Sequence, residues 1–144
     1  MPNWRQDGSY ELVIASDLGQ VAHVQEQIAQ RLQQCHFEDR DIFGIKLALE
    51  EALVNAIKHG NRLDSRKKVR IQIHVSRERI DIGIIDEGPG FNPAQVADPL
   101  AAENLECPNG RGLFLMRHYM TEVTYHPPGN RLTMSKVRPS QNGK

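Results

Sequence analysis

Residues 68–86 read KVRIQIHVSRERIDIGIID, and this stretch decides the fold class. Apolar and polar residues alternate through residues 68–76 and again through 79–86, which is the pattern of β-strands with one buried face. The two-residue connection between them predicts a β-hairpin. The second strand ends at Asp86, where the glycine-rich turn DEGPGF begins. A plain hairpin turn has no need of that carboxylate, so its presence calls for an explanation.

The remaining predicted elements fall into helices and strands that cluster apart along the chain. The predicted helices carry apolar residues at spacings of three and four on one face. Because strands and helices are segregated in the order of elements, we expect an α+β fold, a two-layer α/β sandwich with helices on one face of a mixed, mostly antiparallel sheet. The predicted helices cover residues 18–35, about 39–59 and 112–120, and the strands cover residues 10–16, 68–76, 79–86, 122–126 and 130–137.

Length and composition favour a single domain over residues 1–144, with a frayed tail at about 138–144. The 18 basic and 18 acidic residues cancel, which argues against a nucleic-acid or membrane-surface partner. No apolar stretch approaches the roughly 20 residues that span a bilayer. Cys35 and Cys107 form no CxxC pair and fit a reducing cytoplasm.

Glu51 and Asn55 lie four residues apart on the second predicted helix and so share a face. An asparagine amide oxygen is a hard ligand that suits Mg²⁺. A carboxylate one helical turn away can polarise a hydroxyl or water that attacks phosphorus. Taken alone, however, such a pair is more often a boundary Glu and a boundary Asn of an ordinary helix.

The turn DEGPGF at residues 86–91 suits a flat ligand. Gly88 and Gly90 allow the backbone to approach a ligand closely. Asp86 can accept a hydrogen bond from an exocyclic amine such as that of adenine. The alternative is a turn that only ends the hairpin.

The sequence GRGL at residues 110–113 is a candidate phosphate site. Gly110 and Gly112 open the third predicted helix, where free N–H groups and the helix dipole favour an anion. The alternative is a helix cap beside a flexible loop. A Walker-type P-loop is excluded, since the chain contains no GKS or GKT.

The three motifs together resemble the N, G1 and G2 boxes of the gyrase, heat-shock-90, histidine-kinase and mismatch-repair ATPase superfamily. They read EEALVNAIKHGN (50–61), DEGPGF (86–91) and GRGL (110–113), and the resemblance spans residues 10 to about 137. Within the superfamily, the size of the chain and the HGN that ends its first motif resemble the anti-sigma-factor serine/threonine kinases of bacterial partner-switching modules.

The resemblance implies a role for each matching residue. Glu51 matches the general base, Asn55 the Mg²⁺ ligand, and Asp86 the aspartate that binds the adenine amino group. In the last strand, Asn130 or Thr133 would take the place of the serine or threonine that the superfamily often has there. The residues that match nucleotide-binding positions are Asn55, Asp86, Gly88, Gly90, Gly110, Arg111, Gly112 and Leu113, residues 92–109 match the ATP lid, and His59 is expected near the base of the pocket.

The function that the resemblance implies is phosphoryl transfer from ATP, with Mg²⁺, to a serine or threonine of a small anti-sigma-factor antagonist. The same protein would sequester a sigma factor or another response regulator, on a Bergerat-type ATP-binding fold. It would be a cytoplasmic homodimer with no nucleic-acid or membrane partner. Two alternatives stay open: a nucleotide-gated binding module without significant kinase activity, and a histidine-kinase catalytic domain that acts on a separate protein.

Overall fold

The computed structural model describes residues 9–89, 108–127 and 130–138. Within these ranges the helices and strands follow the predicted order. The strands are β1 (Ser9–Ala15), β2 (Lys68–Val75), β3 (Arg79–Ile85), β4 (Glu122–His126) and β5 (Arg131–Val137). The helices are α1 (Val21–Gln34), which follows a 3₁₀ turn at Leu18–Gln20, α2 (Asp39–Val54) and α3 (Pro108–Tyr119). α2 continues directly into a π-helical segment, Asn55–Gly60, called the π segment below.

The described strands form one sheet in the order β1-β2-β3-β5-β4. Each neighbouring pair is antiparallel, so the α+β class is confirmed, whereas the expected mixed sheet is wrong for these strands. For two of the four pairings, β2–β3 and β4–β5, the reason is that the strands form hairpins, and a short turn can join only antiparallel strands. One row of directly opposed residues crosses the whole sheet: Leu12, Ile71, Ile84, Leu132 and Tyr125.

The helices cover the face of the sheet to which this row belongs. Alternate residues of the central strands are buried there and join the apolar faces of the helices in one core. Burying each large apolar side chain stabilises the fold by about 1.5–3 kcal/mol. The most deeply buried side chains include Ile28 and Leu32 of α1, Ile45, Leu49 and Leu53 of α2, Ile71 and Ile73 of β2, and Ile80 and Ile82 of β3.

The opposite face of the sheet is polar and held by cross-strand contacts. Glu11 of β1 accepts hydrogen bonds from Arg70 Nη1 and Gln72 Nε2 of β2, each at 3.2 Å. A solvated face opposite a buried one is typical of an antiparallel sheet in a two-layer fold. Within the described ranges, the helices are too short or too polar to cross a membrane.

Two glycines fix how α3 packs on α2. A Cβ on Gly44 would come 2.7 Å from Tyr119 Cδ1, and a Cβ on Gly112 would come 2.9 Å from Glu51 Oε1. The start of one helix therefore meets the end of the other, so the two helices are antiparallel. This arrangement brings the first turns of α3 to the carboxyl end of α2, where the π segment begins.

The third helix begins earlier than predicted. It starts at Pro108 rather than at residue 112, so Gly110 and Gly112 lie within its first turns instead of opening it. Proline suits the first position of a helix, because its fixed φ fits and its missing N–H would be unpaired there. The predicted lid at 92–109 lies outside the described residues except for its last two residues, which are helical.

Candidate functional site

The predicted base and metal ligand lie where α2 changes into the π segment. Glu51 is half-buried in the last turn of α2. Asn55 is the first residue of the π segment and is only 6% exposed. The wider turn ends with the Asn61 N–H donating to the Ala56 carbonyl at 2.8 Å, five residues back. Such π turns are rare and occur mostly at functional sites.

Gly112 joins the G2 motif to these two side chains. A Cβ at this position would come 2.9 Å from Glu51 Oε1 and 3.1 Å from Asn55 Nδ2. The next residue, Leu113, is 5% exposed and anchors this turn of α3 in the core. The structure therefore brings together the predicted base, the predicted metal ligand and one predicted phosphate-site glycine.

The first turn of α3 supplies backbone N–H groups for an anion. Gly110 and Arg111 both lie in this turn. N–H groups in the first turn of a helix have no partner within the helix, and the dipole there favours negative charge. The Arg111 side chain lies outside the part of the chain that the structure describes, so its predicted phosphate contact stays a prediction.

Asn55 is a buried amide that lacks a full set of partners. Among the described residues its Nδ2 has no hydrogen-bond partner, although the amide is close enough to lower the pKa of the neighbouring Tyr125 phenol. Leaving such a donor unpaired costs about 1–3 kcal/mol. The described residues contain no group of three His, Cys, Asp or Glu that could hold a metal ion. An unpaired amide N–H can donate to a phosphate oxygen, while the amide oxygen of the same side chain is the atom type that suits Mg²⁺ shared with phosphates and water.

Tyr125 is a site residue that the sequence analysis missed. It lies opposite Leu132 and so faces the helices. Burial raises the pKa of its phenol to about 12, the Asp86 carboxylate adds to the rise, and the Asn55 side chain and Arg117 partly offset it. The phenol thus interacts with both the metal-ligand candidate and the adenine-binding candidate. The alternation of residues in EVTYH could have predicted that Tyr125 lies on the face of the sheet that the helices cover, but nothing in the sequence identifies the residues that surround it there.

Asp86 follows β3 and begins the G1 turn, of which the structure describes residues 86–89. Its Oδ1 accepts a hydrogen bond from the Gly88 N–H at 2.7 Å, which is one restraint on the direction of the carboxylate. Burial raises the pKa of this carboxyl group, while the Gly88 hydrogen bond and the charge of Lys67 partly offset the rise. The half-buried carboxylate can accept a hydrogen bond from a ligand amine. Gly90 lies outside the described residues.

Two glycines allow the G1 turn to pack on the π segment. A Cβ on Gly60 would lie 2.7 Å from Asp86 Oδ1. A Cβ on Gly88 would lie 2.6 Å from the carbonyl carbon of Gly60. Side chains at either position would therefore push Asp86 away from the end of the π segment. Glycine is needed here for close approach of one backbone to another.

Asn130 also holds the G1 turn, whereas Thr133 does not. The Asn130 carbonyl accepts from the Asp86 N–H at 2.9 Å, and its side-chain Nδ2 donates to the Gly88 carbonyl at 3.1 Å. Thr133 alternates with the buried Leu132 and so lies on the polar face of the sheet, bonded to His126 Nε2 at 2.9 Å. Of the two candidates in the last hairpin, Asn130 is thus the one beside the site.

His59 lies in the π segment, one residue before Gly60, and is partly buried. Burial lowers the pKa of its imidazole, and the charge of Lys58 lowers it further. The ring is therefore mostly neutral at pH 7. The next residue, Gly60, packs against Asp86, and the expected place of the His59 ring near the base of the pocket stays a prediction.

Asn61 is a second residue whose position the sequence analysis did not explain. It is fully buried, and its side chain bonds to three separate segments of the chain. One of these bonds is accepted from the N–H of Glu87, the residue after Asp86, at 2.7 Å. The end of the π segment and the G1 turn are therefore joined by a buried amide.

Taken together, these contacts place chemically different groups at the two ends of the π segment. At one end, Asp86 offers a half-buried acceptor. At the other end, the Glu51 carboxylate, the Asn55 amide and the first turn of α3 converge. Such a set of groups can hold a ligand that has an amine at one end and phosphates at the other.

Comparisons with known proteins identify the family of the chain. The histidine kinase-like ATPase domain family matches residues 14–136. The chain is similar to the serine/threonine-protein kinase BtrW of Bordetella bronchiseptica, at 31% identity over 85 residues, which are 58% of this chain and 60% of that protein. It is also similar to the serine-protein kinase RsbW of Staphylococcus aureus, at 32% identity, covering 67% of this chain and 65% of the relative. An anti-sigma F factor of Clostridium perfringens is 30% identical, covering 67% of this chain and 72% of the relative.

A solved structure has the same fold. The crystal structure of the RsbU and RsbW domains of a Mycobacterium tuberculosis protein superposes with a TM-score of 0.62, at 17% identity, and covers 92% of this chain and 33% of that one. The matches to the first two curated relatives cover 60% and 65% of their lengths. The family match, by contrast, spans most of this chain. The chain therefore belongs to the histidine kinase-like ATPase domain family.

Proposed function

We propose that this protein is an ATP- and Mg²⁺-dependent serine/threonine protein kinase that also acts as an anti-sigma-factor-like regulator in a partner-switching module. The observation that carries the proposal is the contact of Gly112 with both Glu51 and Asn55. That contact places a carboxylate beside the amide and helix turn that suit phosphates. A pure nucleotide-binding module has less need of a carboxylate at this point.

ATP would lie along the π segment, with adenine at Asp86 and the phosphates at the start of α3. Gly60, at one end of this segment, contacts Asp86, while Glu51 and Asn55 lie at the other end. At 1.5 Å per residue, the intervening five to nine residues correspond to roughly 7–14 Å. This distance leaves room for a ribose and phosphates between the two ends.

The catalytic step needs little more than positioning and one base. Glu51 would accept the proton of the attacking serine or threonine hydroxyl, since a positioned base accelerates proton transfer by about 10²–10⁴-fold. The N–H groups of the first turn of α3 would stabilise the phosphate oxygens. Bound at Asn55 together with the nucleotide, Mg²⁺ would neutralise phosphate charge.

The names of the relatives support the proposed partners. Two of them are named serine or serine/threonine protein kinases, and another is named an anti-sigma F factor. We therefore assign to this protein a serine or threonine of a small antagonist protein as the phosphorylated group, and a sigma factor or other response regulator as the second partner. A cytoplasmic homodimer is part of the same proposal.

The test is transfer of label from γ-labelled ATP, with Mg²⁺, into proteins of an extract of the source cell. The expected result is one small labelled protein whose label survives acid treatment, as phosphoserine and phosphothreonine do. Acid-labile label would instead indicate a histidine kinase. ATP binding in calorimetry without any label, with a purified antagonist protein also tested, would contradict the kinase and favour a nucleotide-gated binding module.

A further inference from the structure

Asn61 is a buried amide whose side-chain polar atoms are all hydrogen-bonded. The residue is 0% exposed. Its Nδ2 donates to Ser16 Oγ at 2.8 Å and to the Lys68 carbonyl at 3.0 Å. Its Oδ1 accepts from the Glu87 N–H at 2.7 Å. These partners belong to three segments that are far apart in the sequence: the residue after β1, the start of β2, and the G1 turn.

Among the N–H groups of residues 86–88, the Glu87 N–H has a different kind of acceptor from the other two. The Asp86 N–H donates to a backbone carbonyl, that of Asn130, and the Gly88 N–H donates to Asp86 itself. The Glu87 N–H alone among these three consecutive donors depends on a side chain from another segment of the chain. Removing the Asn61 amide therefore frees the peptide plane next to Asp86 while the other two bonds remain.

Asn61 also connects this peptide to the helix that carries the base. It follows the π segment directly, and its own N–H donates to the Ala56 carbonyl of that segment at 2.8 Å. Gly60, the preceding residue, contacts the Asp86 carboxylate. A shift of Asn61 would thus move the surface on which that carboxylate rests.

We infer that Asn61 is a positioning residue for base recognition: its Oδ1 sets the direction of the Asp86 carboxylate by holding the Glu87 N–H. Asn61 would act through Asp86, without contacting the nucleotide itself. The inference rests on the proposed function, because it has meaning only if Asp86 recognises adenine.

A purely structural role for Asn61 makes a different prediction. Loss of a buried, fully bonded amide destabilises a protein by about 1–3 kcal/mol wherever it lies. Such a loss would weaken the binding of every nucleotide alike. A positioning role toward Asp86 instead reduces the preference for ATP over GTP, since guanine offers no amine at the position of the adenine amino group.

The experiment measures the dissociation constants of ATP and GTP by calorimetry for the full chain and two variants, Asn61→Ala and Ser16→Ala. Ser16→Ala is the matched control, because it removes a buried partner of the same amide and leaves the Glu87 bond intact. We expect the ATP preference to fall about tenfold in Asn61→Ala, the effect of misplacing one hydrogen bond to a charged group, and to stay within about twofold in Ser16→Ala. An unchanged preference in Asn61→Ala would overturn the inference.

A third variant covers the case in which Asn61→Ala does not fold. Asn61→Asp keeps an acceptor for the Glu87 N–H and loses the two donors. Retained ATP preference in this variant would support the positioning role, and its loss would overturn it.

A parallel measurement on Asp86→Asn distinguishes a failure of the adenine assignment to Asp86 from a failure of the inference about Asn61. If Asp86→Asn leaves the ATP preference unchanged, the assignment of adenine to Asp86 fails, and the role of Asn61 fails with it. If Asp86→Asn lowers the preference and Asn61→Ala does not, only the inference about Asn61 is wrong.

Discussion

Gly112 of α3 lies directly against Glu51 of α2, since a Cβ on residue 112 would come 2.9 Å from Glu51 Oε1. The same Cβ would come 3.1 Å from Asn55 Nδ2. The third motif of the sequence is therefore packed on the first. The proposed catalytic end of the site depends on how closely two antiparallel helices approach each other.

The first prediction is that Gly112→Ala lowers phosphoryl transfer about 10–100-fold, because the added methyl group displaces Glu51 or Asn55 from a position that catalysis needs. We do not expect the displaced side chains to lower the free energy of unfolding, because alanine is about 1 kcal/mol more favourable than glycine inside a helix. Label transfer and thermal unfolding of the same preparation check both parts.

The matched control is Gly44→Ala, at the other end of the same pair of helices. Its Cβ would come 2.7 Å from Tyr119 Cδ1, in the core and away from Glu51. We expect a lower Tm with transfer kept within about threefold, as for overpacking at a site distant from the chemistry. Full activity in Gly112→Ala would show that the close approach has no catalytic role.

The second prediction concerns Asp86→Asn, which should weaken ATP binding at least about tenfold, because a carboxylate acceptor contributes about 1.5–3 kcal/mol. The variant should not lose stability at pH 7. Burial raises the pKa of Asp86 in the folded state, so the stability that the protonated group provides is lost as pH rises through that pKa. Asparagine carries no such penalty. Calorimetry and thermal unfolding check these effects, and unchanged ATP affinity would rule out the adenine role.

The third prediction is a pH dependence of ATP binding. A protonated Asp86 is a poorer acceptor for the adenine amine, so affinity should decline as pH falls through its pKa. Because burial raises that pKa, the decline should begin at a higher pH than an ordinary aspartate with pKa 3.8 would give. Subtracting the profile of Asp86→Asn removes the titration of the phosphates. Identical profiles for the two proteins would contradict the prediction.

The fourth prediction is that Tyr125→Phe makes stability less sensitive to alkaline pH. The folded pKa of Tyr125 is about 12, above the ordinary value of 10.0, so its contribution to stability is lost as pH rises from about 10 toward 12. Phenylalanine does not ionise and removes this loss. Tm measured between pH 9 and pH 11, roughly the range below and within this window, checks the effect.

Tyr10→Phe is the control for Tyr125. Burial raises the pKa of Tyr10 as well, but its phenol lies near Arg31 and not near the site. Both variants should therefore show a smaller fall of Tm at alkaline pH than the wild type, while only Tyr125→Phe should change ATP affinity. Equal ATP affinity in all three proteins would remove Tyr125 from the site.

The strands and the first two helices were predictable from periodicity, since their apolar residues repeat at two or at three and four positions. The start of α3 was predicted four residues too late. The signal was present, because Pro108 suits the first position of a helix, but the apolar pattern begins only near residue 112. Periodicity reports which residues are buried, and the first turn of this helix has few apolar residues to show.

The π segment could not be predicted from the sequence. The apolar pattern of α2 runs through Ala56 and Ile57 without a break, and a widened turn leaves the burial of these residues unchanged. What changes is the position of Gly60 and Asn61 relative to the G1 turn. That change depends on tertiary contacts with Asp86 and Glu87, which local sequence does not report.

Tyr125 and Asn61 were missed for a related reason. Tyr125 lies outside the three motifs, Asn61 ends the first motif without an assigned role, and each gains its place through partners far along the chain. Tyr125 meets Asn55 and Asp86 only once the last hairpin has been added to the sheet. The three motifs named the groups that we propose to do the chemistry, while the residues that hold them in place became visible only in the fold.

The proposed role of Glu51 as the base of a phosphoryl transfer is tested by measuring ATP affinity and label transfer in Glu51→Ala. Glu50→Ala is the control, because Glu50 is its exposed neighbour on α2. We expect Glu51→Ala to lower phosphoryl transfer by at least about 100-fold relative to the wild type, as for loss of a general base. We expect its ATP affinity to stay within about threefold of the wild type, and Glu50→Ala to transfer phosphate like the wild type. Equal losses of binding and transfer in Glu51→Ala, or transfer at the wild-type rate, would contradict the proposed role.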